Sequence, residues 1–597
     1  MCGIAGIVRS SGLDAQDRGC VARLERLLGH RGPDGAGRYL DPYCALAQTR
    51  LALIGPASVP LPVSTPDGRY VIVYNGEVYN FPELREELQP ETPFALPTDT
   101  EVVLAAWLRW GVCALNRFNG MFAFFIWDSV EQVGFAACDP LGIKPFFYCA
   151  AKDHFAFASE AGALVESGTV RFVAEDEALA EALIAPYFSS VTTLPLAGIE
   201  RLKPGHWLKL RAGSASIAPY FHFEHSPVRY ALACQSLDPE TFVDDLAAHL
   251  DQAVAASMRA DAPVGVFLSG GVDSSLLAAI AQRHSDHPVP VWTIAYDGED
   301  SADYSRSLIV RSPDLPFAER VAARHGCAHH IVRVDEARYE AALVRTLRTN
   351  DLICAWEQEV SQQILAEAAS PYVKAVLVGD AADETHFGYP FLLHPSRIDS
   401  PLRVIEFFGA PPLRPGEEDL RLYFAAKYRQ FAENRGYSWK TESEQRLAMS
   451  CLIYHLWLTR LLHNGDIQLM AHSLEGRVPF GDTRLLALAQ RLPQELGYRD
   501  GIEKWHLRRA AERFLEPAIA WRPKSALNKN LRAHRTIHRH FVRAWRESGA
   551  FLEPWVDSDA VERLAAGDPP ETERGTATCF RLLAVLSWFE RFNGVPR

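Results

Sequence analysis

The chain has 597 residues, 48% hydrophobic and 23% charged, with a formal net charge of −13. That length exceeds what one hydrophobic core usually organises, so two or more domains are expected. The acidic balance argues against a broad nucleic-acid-binding face. No apolar run approaches the roughly 18 residues of a membrane helix, and MCGIAGIVRSSG lacks the basic leader of a secretory signal. The 11 cysteines, without CxxC spacing, read as mostly reduced core side chains of a cytoplasmic protein.

Taken in chain order, the first part to about residue 210 alternates short aromatic, β-branched runs with turn signals. YVIVYNGEVYN, MFAFFIWD, VGFAACD, FFYCA and HFAFAS read as strands. ARLERLLGH, ELREELQ and TEVVLAAWLRWG read as helices, and LKPGHWLKLRAG as a closing hairpin. A domain over 1–212, a polar linker over 213–239 and a second domain over 240–597 are expected. In the second domain PETFVDDLAAHLDQAVAASMRA is an amphipathic helix, VGVFLSGGVDSSLLAAIAQRH is strand, loop and helix, and VPVWTIAY and VKAVLVGD are further buried strands. From about 418 the pattern is helical.

Cys2 is set apart by its place. Removal of Met1 would leave a thiol and a free α-amine on one residue, and an α-amine with a pKa of roughly 8 can take the thiol proton. Asn75 and Gly76, at the end of a strand, offer a side-chain amide and a backbone N–H for the oxyanion such a thiolate would create. MCGIAGI, HRGPDG, TRLALIG, YNGEVYN, TDTEVVL, GMFAFFIWD and DPLGIKPFFY occur in the order found in class II glutamine amidotransferases. This part resembles the glutaminase half of glutamine-dependent asparagine synthetases. The resemblance implies Cys2 as nucleophile, Asn75 and Gly76 as oxyanion hole, Arg50 gripping the glutamine α-carboxylate, and Glu77 and Asp99 holding its α-ammonium.

Ser269-Gly270-Gly271-Val272-Asp273-Ser274-Ser275 lies between an apolar strand and an apolar helix. Glycines let the backbone close on an anion, hydroxyls add donors, and the helix start adds positive dipole. With no lysine after the glycines it is not a GxxxxGK[ST] loop; it resembles the pyrophosphate loop of enzymes that split ATP between its α- and β-phosphates. A second loop, Gly379-Asp380-Ala381-Ala382-Asp383-Glu384, follows VKAVLV. By resemblance to asparagine synthetases, Asp273 and Asp383 would hold Mg²⁺ against ATP, Asp380 would take a proton from the incoming amine, and Lys504 in GIEKWHLRR would neutralise pyrophosphate charge.

The resemblance implies an α/β protein: an α/β/β/α-sandwich glutaminase of the N-terminal-nucleophile type, then a doubly wound parallel-sheet ATP pyrophosphatase domain with a helical C-terminal part. Its partners would be glutamine, ATP and a carboxylate acceptor, with no nucleic acid and no membrane; a homodimer is one expectation for an assembly the sequence leaves open. Ammonia is lost as a nucleophile once protonated in water, so a route lined by small and apolar groups is expected between the two sites. RTNDLICAWEQEVSQQILAEAAS departs from the family, with Trp356, Glu357, Gln358 and Glu359 where prolines and small hydroxylated residues are usual. Ala381 and Ala382 stand where glycine or serine is usual, and HFGYPFLLHP replaces a more glycine-rich stretch. The acceptor is thus open between aspartate and another carboxylate. Two alternatives remain: a β-lactam synthetase-like cyclase or ligase, and a non-catalytic relic that binds.

Overall fold

The computed structural model describes residues 2–594 except 91, 189–192, 224–237, 300–303, 305–309, 391–399, 415, 417–418, 528–529 and 531. Among the described residues twelve strands build the first half: β1 Cys2–Arg9, β2 Gly35–Leu40, β3 Cys44–Arg50, β4 Val63–Ser64, β5 Tyr70–Val78, β6 Gly120–Asp128, β7 Val133–Cys138, β8 Phe147–Ala151, β9 His154–Ala158, β10 Glu200–Arg201, β11 His206–Arg211 and β12 Ser214–Pro219. They pair antiparallel into two six-stranded sheets, ordered β10-β8-β9-β1-β3-β2 and β12-β11-β7-β6-β5-β4.

Period-two alternation assigns each residue a face. In β6, Ala123, Phe125 and Trp127 point between the sheets, where Phe125 stacks on Phe157 at 4.6 Å between ring centroids. Phe122, Phe124 and Ile126 point outward, under the helices Phe81–Leu88 and Asp99–Trp110. The helix Ala15–Leu27 covers the outer face of the other sheet with Cys20, Val21 and Leu24. The result is the α/β/β/α sandwich.

Two local readings need correction. LKPGHWLKLRAG supplies only β11; its hairpin partner β12 lies in the stretch read as linker, of which 224–237 fall outside the described residues. Asn75 and Gly76 do not end a strand: β5 runs on to Val78 because Gly76 and Glu77 continue the ladder with Phe122 and Met121 of β6. Gly76 is needed for that approach, since a Cβ there would sit 2.3 Å from the Met121 carbonyl oxygen.

The second half carries a parallel sheet of β13 Val264–Phe267, β14 Pro290–Tyr296, β15 Ala328–Val334, β16 Ala375–Leu377 and β17 Glu475–Arg477, in the order β15-β14-β13-β16-β17. The chain winds outward one way from β13 through β14 and β15, then returns to start the other way at β16. The switch point is therefore the crevice at the carboxyl ends of β13 and β16, where doubly wound sheets bind ligands. The glycine loop follows β13 and the acidic loop follows β16. Beyond Asp419 the described chain is mostly helical, ending in Glu573–Asn593. β17 escapes a pattern reading because Glu-Gly-Arg is neither apolar nor β-branched. Of HFGYPFLLHP, the residues after Pro390 fall outside the described residues.

Candidate active sites

Strand pairing puts Cys2 opposite Arg50, and the Cys2 backbone N–H donates to Asn75 Oδ1 at 3.1 Å. Asn75 and Glu77, two apart on β5, project from the same face. Both are buried. Asn75 Nδ2, Arg50 Nε and Glu77 Oε2 are buried without a hydrogen-bond partner among the described residues. Buried polar atoms are normally satisfied, so three orphans around one cysteine mark a pocket shaped for a polar ligand. Asp99, at the start of its helix, accepts from Tyr74 OH at 2.8 Å and the Val78 N–H at 3.2 Å. Arg50 spends one nitrogen on the Ile54 carbonyl at 2.7 Å. Burial and the Asp99 charge push the Glu77 carboxyl well above its usual range, a state that an incoming cation would relieve.

In the glycine loop, Gly270 adopts φ +68°, and a Cβ there would meet Phe317 Cβ at 2.5 Å. The loop is braced from within, with the Ser269 N–H donating to Ser274 Oγ at 3.1 Å, and from outside by Arg522, which donates to the Ser269 carbonyl at 2.9 Å. Gly271 caps the helix Val272–Arg283, and Ser275 Oγ is buried without a partner among the described residues.

Lys504 joins the two loops. Its Nζ lies 2.7 Å from both Asp273 oxygens and 2.5 Å from Asp383 Oδ1. Lys524 takes the other Asp383 oxygen at 2.5 Å. Burial alone would raise the Asp383 pKa, but the two ammonium groups hold it down to about 2. Asp380, half-buried and close to Asp383, is pushed up to about 6 by desolvation and by the Asp383 charge. The paired loops thus bring Ser269, Gly271, Asp273, Ser274, Asp380, Asp383 and Lys504 around one cavity of about 220 Å³, with Asp314, Arg522 and Lys524 also in its wall, while Gly270 and Ser275 do not line it. Two carboxylates converging on one cation position fit magnesium, which binds through few carboxylates plus phosphate oxygens.

The two sites are tied by residues the sequence reading left without roles. Arg31, fully buried, donates to the Cys2 carbonyl at 3.4 Å and pairs with Glu160 at 3.0 Å and Asp466 at 2.6 Å. Lys144 lies 3.5 Å from Asp466, and Arg477 pairs with Glu475 at 2.6 Å and lies 3.8 Å from Glu77. Lys144, Asp466 and Gly476 line the nucleotide-loop cavity, together with the apolar Ile143 and Val478. Ile143 and Val478 also line a small cavity of about 10 Å³ beside Tyr79 and Met121. Between the sites the apolar Ile143 and Val478 thus stand beside the charged Lys144 and Asp466, whose burial is compensated by ion pairs.

An antiparallel sandwich with a buried cysteine at its first strand, joined to a doubly wound sheet with a phosphate-type loop at its switch point, defines a two-headed α/β ligase of the glutamine amidotransferase class. The chain belongs to the asparagine synthase family: residues 245–590 match the asparagine synthase domain and residues 1–221 the glutamine amidotransferase domain. It is 28% identical to asparagine synthetase [glutamine-hydrolyzing] 3 of Bacillus subtilis over 99% of both chains. It is 32% identical to a putative asparagine synthetase [glutamine-hydrolyzing] of Mycobacterium bovis, covering 93% of this chain and 89% of that one. With asparagine synthetase B of Escherichia coli the identity is 26%, over 88% and 81%.

Proposed function

We propose that the chain hydrolyses glutamine at Cys2 and passes the ammonia to a carboxylate activated as its adenylate at the switch point of the parallel sheet. The observation that carries this is the set of unmatched buried atoms, Asn75 Nδ2, Arg50 Nε and Glu77 Oε2, around a thiol at the chain's first strand. With Met1 removed, the Cys2 amine takes the thiol proton and the thiolate attacks the carboxamide carbon. Asn75 Nδ2 and the Gly76 N–H receive the oxyanion, Arg50 grips the α-carboxylate, and Glu77 with Asp99 faces the α-ammonium. The proton returns to the departing nitrogen as ammonia leaves; water then releases glutamate.

In the other cavity the serines and backbone of residues 269–275 cradle the β- and γ-phosphates. A carboxylate oxygen of the acceptor attacks the α-phosphorus and pyrophosphate departs, its charge met by Lys504. Magnesium, when bound by Asp273 and Asp383, would offset phosphate charge. Ammonia then adds to the acyl carbon, Asp380 takes the surplus proton, and AMP leaves with the amide formed. A first domain that includes β12 and a second from the helix Pro239–Ser257 onward would divide this labour. Aspartate is the acceptor the family suggests. The ten described cysteines, all free, fit a reducing, cytoplasmic setting. A cyclase would leave the Cys2 pocket without work.

The test is glutamate release from glutamine alone. Cys2→Ala should abolish it, while ammonium still supports AMP and pyrophosphate formation. Glutamine hydrolysis by Cys2→Ala, or ADP and phosphate in place of AMP and pyrophosphate, would reject the reading.

A further inference from the structure

Beside the nucleotide-loop cavity lies a second one of about 300 Å³, and the two share Gln362, Gly379, Asp380, Asp383, Lys524 and Leu527 in their walls. Any acceptor attacking the α-phosphate from this side must have its carboxyl group at that shared edge. Away from the edge five rings, Trp356, Tyr389, Phe407, Phe408 and Trp457, line the wall, beside the polar Arg311, Gln358, Glu359, Glu384 and Asn464. They form one connected surface. Trp457 is 5.8 Å from Trp356, nearly parallel, 5.1 Å from Tyr389 and 5.8 Å from Phe408.

The charges in this wall do not suit a small amino diacid. Aspartate brings two carboxylates and an ammonium, and so asks for two cations and a free carboxylate close together. The cations in the wall are Lys524, already paired with Asp383, and Arg311. Glu359 is largely engaged within the protein: one oxygen accepts the Ala355 and Trp356 N–H groups at 2.7 and 3.1 Å and the Asn464 amide at 2.8 Å, and the other accepts from Asn350 at 2.7 Å. Glu384 is buried and takes the Tyr389 hydroxyl. A concave, ring-lined site with polar groups gathered at one end recognises an apolar body with one polar end.

We propose that the acceptor is a carboxylic acid on an aromatic or bulky apolar body, its carboxyl group at the Asp380–Lys524 edge and its body among Trp356, Tyr389, Phe408 and Trp457. This rests on the adenylation reading above and narrows its substrate class away from aspartate.

The experiment compares 3-phenylpropionate with aspartate in the full chain, scoring both calorimetric binding with α,β-methylene-ATP and magnesium present, and AMP formation with ATP and ammonium. 3-Phenylpropionate should bind at least ten-fold tighter than aspartate. Trp356→Ala should weaken its binding roughly ten-fold, and Trp356→Phe should restore most of that loss, because ring stacking is kept. Tighter binding of aspartate, or an equal loss for both acids in Trp356→Ala, would overturn the proposal. Binding of 3-phenylpropionate without AMP would leave the pocket assignment standing and remove the adenylation reading. AMP with aspartate alone would do the reverse.

Discussion

Asp383 stands between two ammonium groups, and its acid–base behaviour follows from them. Its folded pKa is about 2 against the ordinary 3.8. A carboxylate with a depressed folded pKa contributes stability that is present above the unfolded value and lost as pH falls through the folded one. The window is therefore from about pH 4 down to about pH 2, and a shift of this size is worth about 2 kcal/mol. Urea unfolding of the wild type and Asp383→Asn should differ by that amount at pH 6 and converge towards pH 2. Asn75 gives a second expectation. Its Oδ1 receives the Cys2 N–H while its Nδ2 has no described partner. Asn75→Ala should lower kcat for glutamate release by about 10²–10³-fold with little change in the ammonium-driven reaction. These residues were legible because each belongs to a local string with its own chemistry. Arg31 and Asp466 were not: Arg31 lies in HRGPDG and Asp466 far along the C-terminal helical part, and they meet across 435 positions of chain. No spacing rule reaches that far.

At the scale of elements, strands rich in aromatic and β-branched residues were readable, whereas β1, whose small Gly and Ala residues dilute its apolar run, and strands without such a run were not. β17 is Glu-Gly-Arg, buried by the sheet around it and by the Arg477–Glu475 pair, so its pattern carries no periodicity. β15, His-His among its residues, is an edge strand with a half-exposed face. The acidic loop shows the opposite case, where a departure noticed in sequence has a backbone meaning. Ala381 caps the short helix Ala382–Thr385 with φ +72°, in the left-handed region, and is fully buried. A Cβ in that conformation costs roughly 1–2 kcal/mol, partly offset by the greater freedom glycine has in the unfolded chain. Ala381→Gly should therefore stabilise the protein by about 0.5–1 kcal/mol in urea unfolding. A loss of stability would show that the Ala381 methyl packing outweighs the strain.

In the whole molecule the two halves share one hydrophobic core: helix 15–27, strand β3 and the helices of the C-terminal part belong to a single buried cluster. Through it Arg31 spans from the Cys2 carbonyl to Asp466, a residue in the wall of the nucleotide-loop cavity. Its guanidinium serves three acceptors in a fixed plane, which a lysine ammonium cannot reproduce. Arg31→Met would leave Asp466 and Glu160 buried without it and should cost about 3–5 kcal/mol, enough to obscure any effect on coupling. Arg31→Lys keeps the charge and removes the fork, so it isolates the geometry. If this contact holds the two heads in register, Arg31→Lys should still release glutamate from glutamine and still form AMP with ammonium. Its glutamine-driven reaction, however, should make glutamate in excess over AMP, because ammonia escapes to water and is protonated before it meets the acyl-adenylate. Measuring glutamate and AMP in the same reaction gives the ratio directly. A ratio equal to that of the wild type would mean that the guanidinium stabilises the interface without governing the passage, and the apolar side, Ile143 and Val478, would then carry the coupling.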